Sequence, residues 1–273
     1  MGLFGPKYSA REMMGLAKDL VKRNQHKNAV SLLNKVLKDE PRNKEALYIK
    51  GLSLNQLRKY SDAVTCFDAV LDIKPDDAPS YNNKAIAMAE MGNIQDAYDC
   101  YDQATDADPK YAAAWFNKGV LLARMHDDEA ALDLIEKAIT LDSNNPSAHF
   151  YRGVVLSKLK RHEEALNVFS ILCRKFPRHK EARFHKGLEL AELDRHEKAL
   201  EIFDDIAAES KKNVHVTYAR ARSKAALGQY GQAMELLVKA VSANPKTIRA
   251  WAREEKAFQV FHDDRRFRRL VKM

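Results

Sequence analysis

The chain is 273 residues long, 45% hydrophobic and 31% charged, a balance that fits a folded protein without long disordered tracts. Glycine occurs only 10 times, about half of what average usage of ~7% would give, which counts against glycine-rich phosphate loops and turn-heavy all-β folds. The net charge is +8, and no apolar run approaches the ~18 residues of a membrane span.

Residues 1–9, MGLFGPKYS, lack a basic stretch followed by an apolar core, so no secretory leader is expected. Pro6 stands where a myristoylation signal needs Ser or Thr. Three scattered cysteines, Cys66, Cys100 and Cys173, suit neither a disulfide framework nor a zinc site. They read as reduced small hydrophobes, and the expected location is cytoplasmic.

From residue 10 a 34-residue period sets in. With Pro41 at position 32 of the frame, seven repeats follow without insertion: 10–43, 44–77, 78–111, 112–145, 146–179, 180–213 and 214–247. Position 20 is Ala29, Ala63, Ala97, Ala131, Ala165, Ala199 and Ala233, and position 8 is always Ala or Gly, from Ala17 and Gly51 to Ala221. Large apolar residues hold position 24, among them Leu33, Phe67, Tyr101 and Phe169, and position 11 up to Leu190. Positions 4, 8 and 11, and then 20, 24 and 27, fall at helical spacing. Each repeat therefore reads as two helices crossing where their small residues meet. Pro41, Pro75, Pro109, Pro177 and Pro245 at position 32 stop the second helix. Ser143 and Lys211 break that column, and the joint between repeats six and seven, AAESKKNVH, is the least constrained.

Residues 248–262 read as an eighth first helix with Trp251 in the position-4 slot, and Glu255 where a crossing helix would need a small residue. The chain then ends in RRFRRLVKM, with Arg265, Arg266, Arg268, Arg269 and Lys272 around Phe267, Leu270 and Val271. Residues 248–273 thus read as a capping helix and a basic tail, and two readings stand for 265–273: a cap whose apolar side folds back on the last helix, or an anion-binding tail.

This pattern resembles the tetratricopeptide repeat: a small residue at 8, alanine at 20, an aromatic near 24 and proline at 32, with AWFNKG, ALYIKG and ARFHKG similar to the family's first-helix signature. The resemblance covers about nine-tenths of the chain. It implies an all-α, right-handed superhelical solenoid of antiparallel helix pairs, with first helices lining a concave groove. Position 17 departs from the family's Tyr at His26, Ile94, Asp128, His162 and His196, and position 4 loses its large residue at His149, Arg183 and Thr217.

On a helical wheel, positions 5 and 9 turn to the side that the family makes concave. Position 5 gives Tyr48, Asn82, Phe116, Phe150, Phe184 and Tyr218; position 9 gives Leu52, Ile86, Val120, Val154 and Leu188, then Arg222. An aliphatic stripe where water is expected marks a binding surface. Three readings stay open: a peptide groove, a self-association surface with Leu3 and Phe4 of a neighbour inserted, or packing alone. Asn83 and Asn117 at position 6 are candidates to grip a ligand backbone. The branch of the family that clamps a C-terminal carboxylate places Lys at 5 and Asn at 9, which this chain never does, so no such clamp is expected.

No catalytic motif, cofactor or metal site is legible. HEEAL at 162–166 and HEKAL at 196–200 lack the second histidine of a zinc-protease helix, and GxGxxG, GxxxxGK[ST] and GxSxG are absent. Charge is uneven: residues 1–43 hold nine cations and four acids, 44–145 ten and eighteen, 146–273 twenty-seven and sixteen. The acidic middle speaks against a continuous phosphate track, leaving RNA or another polyanion on the basic C-terminal half as the alternative partner. A cation ladder at position 7 (Lys50, Lys84, Lys118, Arg152, Lys186, Arg220) reads as aliphatic stems packing beside the core, or as an anion-binding edge. The leading expectation is a non-catalytic adaptor or scaffold that holds a protein or peptide partner in an apolar groove.

Overall fold

The computed structural model describes residues 8–210 and 212–273. Leu3 and Phe4, and Lys211 at the sixth joint, lie outside them.

The described residues are helical, without strands. Seven antiparallel pairs run α1 (Ala10–Lys22) with α2 (His26–Asp39), α3 (Lys44–Gln56) with α4 (Tyr60–Leu71), α5 (Ala78–Met91) with α6 (Ile94–Ala107), and α7 (Ala112–Arg124) with α8 (Asp128–Leu141). They continue as α9 (Pro146–Lys158) with α10 (His162–Lys175), α11 (Lys180–Glu192) with α12 (His196–Glu209), and α13 (Val214–Ala226) with α14 (Tyr230–Ala243). Every first helix starts at position 1 of the 34-residue frame and every second helix at position 17.

The turn inside each pair is one motif used seven times. The residue at position 15 is left-handed in all repeats, with φ between 56° and 87°: Asn24, Arg58, Gly92, His126, Lys160, Asp194 and Gly228. The N–H of position 16 then donates to the carbonyl of position 11, as in Gln25 to Leu20, Lys59 to Leu54 and Arg195 to Leu190. These bonds satisfy carbonyls that the end of an α-helix leaves open. At the opposite joint, Ser9, Asn43, His179 and Asn213 cap first helices by accepting from a backbone N–H three residues on.

Packing follows the small and large columns. All seven position-20 alanines are fully buried, and so are Leu33, Phe67, Ile135, Phe169, Phe203 and Leu237 at position 24. Where position 8 is glycine, a Cβ would lie 2.7 Å from Phe67, 2.8 Å from Ile135, 2.6 Å from Phe169 or 2.5 Å from Phe203. The missing methyl is what lets these residues seat across the crossing.

The buried face of the first helices is wider than positions 4, 8 and 11. Position 3 (Ala46, Ser80, Ala114, Ala148, Ala182, Val216) and position 10 (Ser53, Ala87, Leu121, Val155, Glu189, Ser223) are buried too, whereas position 4 opens from Tyr81 onward. Within each compact unit the cause is the sandwiching of a first helix: α3 contacts both α2 and α4, and α11 both α10 and α12.

The chain divides into two compact units, 1–145 and 146–273. The boundary falls where the position-32 proline is replaced by Ser143 and Pro146 opens α9. In the first unit α1, α3, α5 and α7 touch in sequence, and in the second α9, α11 and α13 do, while second helices make no comparable contacts with one another. In each unit the first helices therefore line the inside of the curve.

The C-terminal elements correct the expected eighth helix. Helix α15 runs Pro245–Glu254, followed by a 3-10 turn at Lys256–Phe261 and α16 at Arg265–Val271. Pro245 both ends one helix and opens the next, and the Asn244 side chain caps α15 at Thr247 N–H. This earlier start buries Ile248 and Ala252 and leaves Trp251 40% exposed. Helix α16 seats Phe267 and Val271, both fully buried, against Tyr218, Leu237, Phe258 and Phe261. Its last carbonyls are held by Arg249, which donates to Leu270 O, and Arg253, which donates to Val271 O, each at 2.8 Å from Nε. The tail is thus built into the fold as a cap, with Arg265, Arg266, Arg268, Arg269 and Lys272 outward and exposed.

Candidate functional site: the first-helix face

In the first unit, position 5 and position 9 residues form the floor of the inner face, and none is fully open. Tyr48, Leu52, Ile86, Phe116 and Val120 are half-buried, while Asn82 is buried. Tyr48 packs edge-on against Phe67 of its own repeat, with centroids 6.0 Å apart, and burial pushes its phenol up to about 12. Leu52 leans on the Leu54, Ala63 and Phe67 cluster, and Ile86 on that of Ala85, Ala97 and Tyr101.

The two asparagines that sequence analysis assigns to a ligand backbone are used between rungs. Asn83 Nδ2 donates to Tyr48 Oη at 3.1 Å and to Pro79 O at 2.7 Å, and Asn117 Nδ2 donates to Asn82 Oδ1 at 2.8 Å. Position 6 of one repeat thus faces position 5 of the repeat before it. Asn55, at position 12, donates to Asn83 O at 3.1 Å.

One small recess opens on this floor. Its volume is about 200 Å³, and it is lined by Ile86, Asn117 and Val120 with Ala89, Tyr101 and Leu121 beneath, and Glu90 and Arg124 at the mouth. Arg124 Nη1 lies 3.3 Å from Glu90 Oε1 across the opening. An apolar floor with one charged pair at its lip suits a single bulky side chain whose backbone runs past polar groups.

In the second unit, Phe150, Val154, Phe184 and Leu188 are half-buried in the corresponding places. Phe150 contacts Phe169, His179 and His185, and Phe184 contacts Phe203 at 5.8 Å. His185 stacks on Phe169 at 5.2 Å, and burial pulls its imidazole below the ordinary value. Tyr218 is not presented to a ligand: it is buried under the cap, 5.5 Å from Trp251 and 5.8 Å from Phe258. Arg222 is tied to Glu192 at 2.9 Å and Glu255 at 3.8 Å.

Three residues of the position-7 ladder form ion pairs between repeats, whereas Lys50 and Lys186 follow repeats with Asn34 and Ser170 at position 25. Lys84 meets Asp68 at 2.7 Å, Arg220 meets Asp204 at 2.6 Å, and Lys118 pairs with Asp102. All three acids stand at position 25 of the preceding repeat. Lys118 is buried, with Nζ 4.2 Å over the Tyr98 ring. Burial opposes its charge, yet hydrogen bonds to Asp102 and Tyr98 hold its pKa above the ordinary value. Acidic residues at position 25 were the signal for this pairing, readable only once positions in consecutive repeats are compared.

Among the described residues no three His, Cys, Asp or Glu side chains gather as a metal site, and no helix is long and apolar enough to cross a membrane. Cys66, Cys100 and Cys173 are free thiols, pushed up by burial.

Models of the tetratricopeptide repeat match residues 112–145, 134–167, 152–214 and 190–254, and a model of the Psidin N-terminal TPR repeats region matches 18–127. The first of these coincides with repeat four of the frame. No curated protein matches the sequence. Among solved structures, a tetratricopeptide repeat protein of Parabacteroides merdae is 16% identical, covering 97% of this chain and 99% of its own, with a TM-score of 0.65. YrrB, described as a TPR protein with an unusual peptide-binding site, is 24% identical over 69% of this chain and 97% of its own, with a TM-score of 0.59. PilF of Pseudomonas aeruginosa is 15% identical over 76% and 94%, with a TM-score of 0.66. With its helix pairs, its small-residue columns and family matches reaching from residue 18 to 254, the chain belongs to the tetratricopeptide repeat family.

Proposed function

We propose that the protein is a non-catalytic adaptor or scaffold that holds a partner segment on the inner face of its first helices. The family supports a protein-interaction scaffold in general. The finer reading rests on the recess between α5 and α7, where Ile86 and Val120 form an apolar floor beside the Glu90 and Arg124 pair. Half-burial limits what each groove residue contributes. A few side chains covered by ~50 Å² each, at about 25 cal/mol per Å², supply about 4–6 kcal/mol, which barely meets the ~4–15 kcal/mol cost of association. Binding is therefore weak, and one side chain inserted in the recess anchors it.

A polyanion on the basic half is the less supported alternative, because many of its arginines already face carboxylates: Arg183 with Glu209, Arg195 with Glu163, Arg220 with Asp204 and Arg222 with Glu192. The test is selection of binding peptides from a random display library on the full chain, followed by titration against Val120→Asp and Arg124→Glu. Peptides that lose binding to both variants, and keep it to Ile171→Asp on the exposed face of α10, support the groove. Selected peptides indifferent to both groove variants would remove it.

A further inference from the structure

At position 25, where Asp68, Asp102 and Asp204 receive the next repeat's cation, repeats one and five carry Asn34 and Ser170, and repeat seven carries an apolar residue, Val238, 43% exposed. Helix α16 covers only part of the α14 surface and leaves an open recess of about 830 Å³ between α14, α15 and α16. Met234, Val238 and Leu270 make its apolar floor, with Lys239, Arg249 and Arg269 around it and Glu235 as the acid on the lining. Arg249 spends its Nε on Leu270 O, and the neighbouring Arg266 is tied to Asp264 at 2.9 Å. Lys239 and Arg269 face no carboxylate within ion-pair distance among the described residues.

We propose that this recess at the capped end is a second docking site, separate from the first-helix groove, for an acidic segment of a partner protein that carries bulky apolar side chains. An apolar anchor seats on Met234, Val238 and Leu270, and flanking carboxylates meet Lys239, Arg249 and Arg269. Charge complementarity selects the occupant. The apolar floor has no use for a phosphate track, and no aromatic ring on the lining offers a base a stacking platform. A lipid surface would call for protruding apolar side chains, and here they line a hollow. The two readings of the basic tail combine: α16 caps the core with Phe267 and Val271 while its outward arginines form the rim.

The probe is a fluorescein-labelled helical peptide of about fifteen residues, mostly Glu and Asp with Leu and Phe one turn apart, titrated by anisotropy into the full chain. The expected result is binding that weakens about tenfold or more in Val238→Asp and in Lys239→Glu with Arg269→Glu, at unchanged helicity. Replacing the anchors by Ser, or the acids by Gln and Asn, should weaken it similarly, and Val120→Asp should leave it intact. Absence of binding, indifference to Val238→Asp, or full retention by the anchorless peptide would overturn the proposal. So would preferential competition by poly(U) or by phosphatidylserine-containing vesicles. Salt-sensitive self-association in sedimentation, abolished both by Val238→Asp and by Met125→Asp in the exposed acidic turn MHDDE, would assign the recess to a second copy and overturn the partner segment.

Discussion

Position 8 and position 24 form a size-matched pair in six of the seven repeats. Glycine faces Phe67, Ile135, Phe169 and Phe203, and Ala17 and Ala221 face Leu33 and Leu237, while repeat three departs by setting Ala85 against Tyr101. The pairing follows from space, since a Cβ on Gly187 would stand 2.5 Å from a Phe203 ring that is fully buried and cannot swing aside. Gly187→Ala should therefore destabilise the chain by about 1–3 kcal/mol, overpacking outweighing the better helix propensity of alanine. Phe203→Leu alone should destabilise as well, through lost contacts and a cavity. Together they rebuild the pair found in repeats one and seven, so the double variant should lose less than the sum of the two, by about 1 kcal/mol or more in urea unfolding. Additive losses would show that the crossing tolerates the extra methyl elsewhere.

At the scale of helices, adjacent repeats are joined by charge as well as by apolar surface. Lys118 is buried on α7 and depends on Asp102 of α6, which is itself half open to water. Removing the acid leaves a desolvated ammonium, whereas removing both groups leaves only a loss of shape. Asp102→Ala should cost about 1–3 kcal/mol, and Asp102→Ala with Lys118→Met should recover part of it, as read by urea unfolding. The helix pairs themselves were legible in the sequence because position 20 never varies and positions 8 and 24 vary only in size. The turn was not, because left-handed geometry recurs at position 15 through Asn24, Arg58, His126 and Lys160, which share no side-chain chemistry. Nor was the depth of the groove. A wheel drawn for one helix puts Ile86 and Val120 beside water, but first helices packed on both sides bury positions 3 and 10 and draw position 9 halfway in. The bonds of Asn83 and Asn117 to Tyr48 and Asn82 follow from a repeat-to-repeat contact that one repeat cannot display.

Within each unit, stability is a sum of local interfaces, since each repeat contacts its neighbours in sequence and the buried side chains of the described residues fall into separate clusters. An array of this kind frays where it ends, and the second unit ends on an aromatic plug. Phe267 is fully buried, 5.8 Å from Phe261, 6.3 Å from Phe258 and stacked on His262 at 5.6 Å. Truncating it should cost about 3–5 kcal/mol, the range for emptying a large aromatic site. The loss should be local. In Phe267→Ala, amide hydrogen exchange should quicken through α13, α14, α15 and α16, while α1 to α8 of the first unit keep their protection. The cap recess should lose its acidic-peptide binding in the same variant, because Arg269 and Leu270 are held in place only while α16 is docked, and the α5 and α7 recess should be untouched. A uniform fall in protection along the chain would show instead that the two units unfold as one, and that the plug stabilises far more than the repeat it covers.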